Sequence, residues 1–344
     1  MIDPPSIGPT HDAAHHLFNY YGRWHAGRTA ISINSGAIVE FAYRGGRIEL
    51  LFDVAGMTHF PAIFVQVDNG PIARTTLSAE VATVHVTAAG RFHLVRFWIA
   101  THSLYETDAR GRQWTTLVGG CRFTGADLAG GDLVPLPYQT RQIEFLGDSI
   151  TQGLRLLYTG TEDDTGHQLP YANWPQHVAD LLGMRPVVTG FGGQGLTTTG
   201  TSGAPPAREA FPLVHAGAHW EPRVEPGIVV IYQGSNDCVA PPDFADAYAA
   251  LLSRVRGVYP VAALFAVCPH TRPAYAAAIR EVAAARHDRR MMFLDYSTGV
   301  IAEPETCDGC HLNPSGAVAL ASRLATDIAS CLSAPANAGL AMGD

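Results

Sequence analysis

Ile143-Glu144-Phe145-Leu146-Gly147-Asp148-Ser149-Ile150 decides how this chain of 344 residues is read. Ile143, Phe145 and Leu146 make a short apolar run of strand length, and the run stops at Gly147-Asp148-Ser149. Beyond it the apolar spacing suits a helix better than a strand. A serine beside a glycine at the exit of a buried strand holds its hydroxyl at the rim of a sheet. Open α/β sheets bind ligands at that rim, and an activated nucleophile belongs there. Asp148 and Ser149 are also good capping residues, so a plain helix N-cap is the other reading of the same tripeptide.

Two later stretches add weight to the first. Gly234-Ser235-Asn236-Asp237 follows the apolar run Ile228 to Tyr232, and Asp308-Gly309-Cys310-His311 comes just before Asn313-Pro314, a pair suited to opening a helix. Taken alone, Gly234 to Asp237 could be an ordinary turn after a strand. In this order, behind Gly147-Asp148-Ser149-Ile150, the blocks resemble those of the SGNH (GDSL-type) hydrolases, and the likeness runs over residues 142–331. The order also differs from the Gly-x-Ser-x-Gly elbow, where acid and base lie far apart in sequence.

Acyl transfer by serine needs a nucleophile, a base within hydrogen-bond reach, a group that orients the base, and donors for the oxyanion. Ser149 is the expected nucleophile and His311 the expected base. Asp308, three residues earlier, would hold the imidazole's tautomer and offset its charge in the transition state. Asp148 is too near the nucleophile in sequence for that role. The oxyanion donors are expected to be the backbone N–H of Ser149, a glycine N–H, and the carboxamide of Asn236, which donates without carrying charge. The glycine lies in Thr189-Gly190-Phe191-Gly192-Gly193-Gln194-Gly195. The superfamily's second block has an Asn shortly before its glycine, and that Asn is missing here; Gly195 is the first choice and Gly193 the alternative. The same run lacks the Gly-Lys-Ser/Thr ending of a P-loop and has no acidic ribose partner at the right distance, so a nucleotide site is not indicated. The chemistry calls for no cofactor and no metal.

Residues 154–170 and 196–226 are long and rich in Gly, Pro and Thr. They follow the first two blocks and are expected to wall the pocket. Asp148, Tyr232 and Trp174 are the substrate-side candidates, with Tyr158 and Trp220 as further wall residues; core packing is the alternative for each aromatic.

The chain ahead of this region reads differently. Residues 1–18 suggest a loose arm rich in Pro and His. Residues 19–135 read as all-β: Ala62 to Asp68 alternates and breaks at Asn69-Gly70, a strong hairpin signal. Short strands at regular spacing imply a sandwich or jelly roll. Leu133 to Tyr138 holds two prolines and is the natural boundary. After it, strand and helix patterns alternate through residues 140–334, as in a parallel sheet covered on both faces. The expected fold is therefore an all-β jelly-roll domain followed by a flavodoxin-like, three-layer α/β domain. Tyr21-Gly22-Arg23, Val67-Asp68-Asn69-Gly70 and the entry into Ile143 to Ser149 resemble the two-domain acetyl esterases of carbohydrate esterase family two. That resemblance implies removal of O-acetyl groups from a sugar or polysaccharide. A lysophospholipase or thioesterase acting on longer acyl chains is the alternative within the superfamily, and a carbohydrate-binding protein with an inactive hydrolase domain is the alternative outside it. Trp24, Trp98 and Trp114 could bind sugar or belong to the core.

Composition excludes other classes. The formal charge is −8 and no Lys/Arg run exists, against nucleic acid or an anionic membrane as the main partner. No segment reaches the roughly 20 apolar residues of a membrane span. The N-terminus lacks the basic and apolar regions of a signal peptide, which leaves a cytoplasmic or a trimmed secreted protein. Oligomeric state is not indicated. Six cysteines are scattered, too few for a disulfide framework at this length. Cys307-Asp308-Gly309-Cys310-His311 also fits the c-type haem pattern, but haem attachment needs export and leaves Ser149 unexplained. The two thiols are expected to line the loop or bridge each other.

Overall fold

The computed structural model describes residues 10–88, 90–102, 111–160 and 165–334. The first part contains β1 (Thr10–Asp12), β2 (Asn19–Tyr21), β3 (Ala30–Ser32), β4 (Ile38–Arg44), β5 (Arg47–Phe52), β6 (Ala62–Val67), β7 (Ala73–Thr76), β8 (Thr83–Thr87), β9 (His93–Ala100), the single turn α1 (Gln113–Thr116), β10 (Cys121–Asp127) and β11 (Asp132–Val134). Two antiparallel sheets result, ordered β1-β10-β5-β8 and β11-β4-β9-β6-β7, with β3 also on β10 and β2 also on β4. The period-2 pattern sets their inner faces: Ile48, Leu50 and Phe52 of β5 meet Phe41, Phe97 and Phe123 in one core. Asp68 and Asn69 both adopt positive φ in the turn between β6 and β7, as a tight hairpin requires. The expectation of a loose arm fails over residues 10–18. β1 pairs with β10, and Ala13 and Phe18 are buried in the sandwich core. Residues 1–9 lie outside the described residues.

The second part runs β12 (Gln142–Gly147), α2 (Ser149–Gln152), α3 (Trp174–Leu181), β13 (Arg185–Gly190), α4 (Ala207–Ala210), β14 (Leu213–His215), β15 (Ala218–His219), β16 (Ile228–Tyr232), α5 (Pro241–Val258), β17 (Ala263–Cys268), α6 (Ala276–Ala285), β18 (Met291–Asp295) and α7 (Pro314–Ser333). Five strands pair in parallel in the order β13-β12-β16-β17-β18. In chain order that is 2-1-3-4-5, and the chain reverses its direction of travel across the sheet between β12 and β16. Such a switch point opens a crevice at the strands' carboxyl ends. Phe145, Val230 and Val267 face Trp174, Leu320 and Leu324 on one side; Ile231 and Leu264 face Leu251 and Ile279 on the other. The hairpin β14-β15, inside the long 196–226 segment, has too few residues to show an alternating pattern. No helix of the described residues is long and apolar enough to cross a membrane.

The sandwich and the α/β layers are joined by buried and part-buried polar contacts. Arg23, just after β2, reaches Glu144 in the middle of β12, and both side chains are fully buried. The guanidinium also donates to the carbonyls of Phe211 and Leu213. Glu40 of β4 takes Arg185 of β13 at 2.9 Å, and Trp98 of β9 donates to Gln176 of α3 at 3.0 Å.

Candidate active site

Ser149 opens α2 one residue after Asp148, which follows the end of β12. The bend is tight enough to dictate its glycine: a Cβ on Gly147 would fall 1.9 Å from Thr151 Oγ1. Asp148 is the N-cap, and its Oδ1 accepts from the Ile150 N–H at 3.0 Å. The capping role thus falls to Asp148, and Ser149 is left as the first residue of the helix. Asp148 is fully buried. Burial lifts its pKa to about 6, against the lowering effect of the Ile150 N–H, the Ser235 hydroxyl and His311.

Asp308 and His311 come from the loop before α7. Its neck is closed by Cys307 N–H to His311 O at 2.9 Å, and Asn313 caps α7 through the Gly316 N–H at 3.0 Å. The loop folds around one carboxylate: Asp308 Oδ1 accepts from the backbone N–H of His311 at 2.7 Å and of Cys310 at 3.1 Å. Asp308 Oδ2 lies 2.8 Å from His311 Nδ1, and His311 Nε2 lies 2.9 Å from Ser149 Oγ. These contacts form a continuous chain from carboxylate to hydroxyl. Burial alone would raise the Asp308 pKa; the hydrogen bonds from the His311 ring and backbone, and the Arg155 guanidinium, outweigh it and hold the carboxyl below its ordinary range.

The third wall is the glycine-rich turn after β13 and the turn after β16. Asn236 directs its carboxamide at this turn and donates one N–H to the Gln194 carbonyl at 2.9 Å. Its other N–H is not needed for that bond. Asp237, to which the sequence assigns no role, is buried and clamps the turn: its carboxylate accepts from Leu196 N–H, Thr197 N–H and the Thr197 hydroxyl at 2.7–2.9 Å. Gln152 and Gln233 were also missed. Gln152 accepts from the Gly192 N–H at 2.9 Å, and Gln233 donates to the Gly147 carbonyl at 2.8 Å. Asp237 could have been found, since it sits inside Gly234-Ser235-Asn236-Asp237; isolated glutamines give no such signal. The N–H of Gly195 donates to the Thr198 carbonyl at 3.0 Å. Gly193 takes φ +70, a conformation that suits glycine.

Of the substrate-side candidates, Asp148 is the buried cap beside Ser149, and the two aromatics lie in the interior. Trp174 and Tyr232 are fully buried. Trp174 packs edge-on against Phe145 and donates its indole N–H to Ile150 O at 3.1 Å, so it props α2 from below. The Tyr232 hydroxyl lies 2.8 Å from His270 Nδ1, and His270 Nε2 lies 2.9 Å from Cys310 O. That relay, also missed in the sequence, supports the His311 loop. Trp220 packs over Arg23, whereas Tyr158 lies beneath the Arg155 guanidinium at the edge of the site. Trp24, Trp98 and Trp114 are buried core. Cys307 and Cys310 are unbridged, and burial raises their thiols to about 11 and about 12. Among the described residues no group of three or more His, Cys, Asp or Glu side chains is arranged to hold a metal ion.

The same architecture recurs in solved structures. A family two carbohydrate esterase from Cellvibrio japonicus superposes with a TM-score of 0.79 at 18% identity, covering 94% of this chain and 98% of that one. The family two esterase from Clostridium thermocellum, solved with cellohexaose, gives 0.76 at 22% identity over 92% and 99%. An acetyl xylan esterase from Butyrivibrio proteoclasticus gives 0.75 at 15% identity over 95% and 99%. No curated protein sequence matches the chain. The profile of the GDSL-like lipase/acylhydrolase family matches residues 145–319, from the strand before Ser149 into α7. The chain belongs to that family and is a carboxylic ester hydrolase.

Proposed function

We propose that the protein is a serine esterase that removes O-acetyl or other short acyl groups from a carbohydrate. The reading is carried by the chain of contacts from Asp308 Oδ2 through His311 to Ser149 Oγ, at 2.8 and 2.9 Å. Ser149 Oγ attacks the ester carbonyl carbon while His311 Nε2 takes its proton. The new oxyanion is met by the Ser149 N–H, the Asn236 carboxamide and a glycine N–H. Gly193 suits this last role better than Gly195, whose N–H is already bonded to Thr198. The tetrahedral intermediate then breaks its bond to the sugar oxygen, which leaves with the proton held by His311. Water, deprotonated by His311, attacks the acyl-serine, and the acid is released as Ser149 regains its proton. Asp308 keeps Nδ1–H pointed at itself and offsets the imidazolium charge in both steps.

A carbohydrate substrate is supported by the shared two-domain fold of family two carbohydrate esterases, sandwich included. Acetylated xylose or xylan and p-nitrophenyl esters of two to twelve carbons test both halves of the proposal. Turnover should be fastest on acetyl esters and vanish in Ser149→Ala with the fold intact. Undiminished turnover in that variant would remove the nucleophile assignment, and a preference for long acyl chains would remove the acetyl assignment.

A further inference from the structure

The segment after α2 carries a cation for which the three-residue relay has no use. Arg155 Nη1 lies 3.0 Å from Asp308 Oδ2, the oxygen that also meets the His311 ring. With two backbone N–H groups on Oδ1, the carboxylate's roughly four lone-pair sites are all engaged. Arg155 is tied to the same loop a second time, because its carbonyl takes the Cys307 thiol at 3.3 Å. Its backbone sits at φ +60, a left-handed conformation uncommon outside glycine. Outliers of this kind cluster where the surroundings impose a function.

We propose that Arg155 is a positioning residue for ester hydrolysis: by sharing Asp308 Oδ2 it fixes the carboxylate against His311. The proposal rests on the Ser149–His311–Asp308 reading. The guanidinium shares the negative charge that would otherwise face the imidazole ring alone, so its removal is read in the pH profile of turnover. Other titratable or charged groups around this loop are Asp148 at the α2 N-cap, His270 after β17, the Cys307 and Cys310 thiols, and Arg272, which acts on Cys310. Among the described residues, Arg155 is the cationic side chain other than His311 itself that bonds Asp308.

The pH profiles of kcat and kcat/KM on a short acetyl ester test this. Arg155→Met should move the acidic limb of kcat/KM upward by about half a unit to one unit. It should also lower kcat roughly tenfold while KM changes little, as expected when a base loses its alignment. Arg155→Lys restores the charge without the planar fork; it should return the limb to the wild-type position and recover part of kcat. Arg155→Gln serves if the Met variant does not fold. In an Asp308→Asn background, Arg155→Met should shift the limb no further, since its effect passes through the carboxylate. A folded Arg155→Met or Arg155→Gln enzyme with an unmoved limb would overturn the proposal, as would an equal shift in the Asp308→Asn background. Turnover surviving Ser149→Ala would instead bring down the underlying triad, so the two failures are distinguishable.

Discussion

Glu144→Gln should destabilise the protein far more than one lost hydrogen bond would. Glu144 Oε1 accepts from Arg23 Nε at 3.2 Å and from Nη2 at 2.5 Å, and neither side chain is exposed to solvent. Gln keeps the shape and one acceptor but leaves the guanidinium without a counter-charge, between the carbonyls of Phe211 and Leu213 and the rings of Phe211 and Trp220. Removing one partner of a buried pair costs about 3–5 kcal/mol, and the retained acceptor places this variant near 3. In a domain of 150–250 residues about 1 kcal/mol moves the melting point by roughly 2–4 °C, so calorimetry should show a fall on the order of 6–12 °C. Arg23→Met/Glu144→Met removes both charges and fills the volume with methylene. Its cost should fall short of the sum of the two single variants by about 2–3 kcal/mol, because each single change strands the other charge. A Glu144→Gln protein melting within a degree of wild type, or strictly additive single and double variants, would refute the idea that charge pairing, not shape, holds this junction.

On the proposed role of Asn236, Asn236→Ala should lower kcat by roughly 10²–10³, the usual effect of losing one oxyanion donor, with KM little changed; steady-state kinetics on an acetyl ester decide it, and an equal rise in KM alone would assign Asn236 to ground-state binding. Asp148→Asn should flatten the dependence of stability on pH. Burial raises this carboxyl to about 6 from an unfolded value of 3.8, so its contribution is complete below pH 4 and is lost as the pH rises through 6. The Asn variant, which still accepts from Ile150 and never ionises, should gain on the order of 1–3 kcal/mol over wild type between pH 4 and pH 7 in urea titrations. An unchanged slope would mean that Asp148 does not titrate in this range.

Much of the fold and part of the site are legible in the sequence, for reasons specific residues make plain. Ile228 to Tyr232 and Ala263 to Cys268 are unbroken apolar runs because those strands are buried on both faces. Pro314 and Asn313 mark the start of α7 through capping chemistry alone. Ser149, Asn236, Asp308 and His311 sit in short blocks whose spacing is local, and the structure links Asp308, His311 and Ser149 by hydrogen bonds. What stayed hidden depends on pairs distant in sequence. Arg23 and Glu144 are 121 positions apart, and Arg155 and Asp308 are 153 apart; neither member signals its partner. Trp174 and Tyr232 read in the sequence as pocket wall or as core, because an aromatic near a motif suits either role. Their polar tips are met from inside, by Ile150 O and His270, which lets both rings be buried completely.

The same distant pairing bears on whether the sandwich is an appendage. A carboxylate in the middle of the interior strand β12 is costly in any protein that lacks a cation to meet it, and the cation comes from the loop after β2. Residues 136–334 alone would leave Glu144 unpaired and uncover Val188, which lies against Gly36 so closely that a Cβ there would approach it to 3.2 Å. The separated segment should therefore be far less stable than the intact chain, with weak near-ultraviolet circular dichroism and little esterase activity. Glu144→Met within that segment removes the stranded charge and should recover part of the stability, whereas the same substitution in the whole protein destabilises it. Opposite signs for one substitution in two settings are the mark of a charge that belongs to the junction. An isolated 136–334 segment with the kcat/KM of the full chain would show that the sandwich contributes nothing to the strand that leads into Ser149.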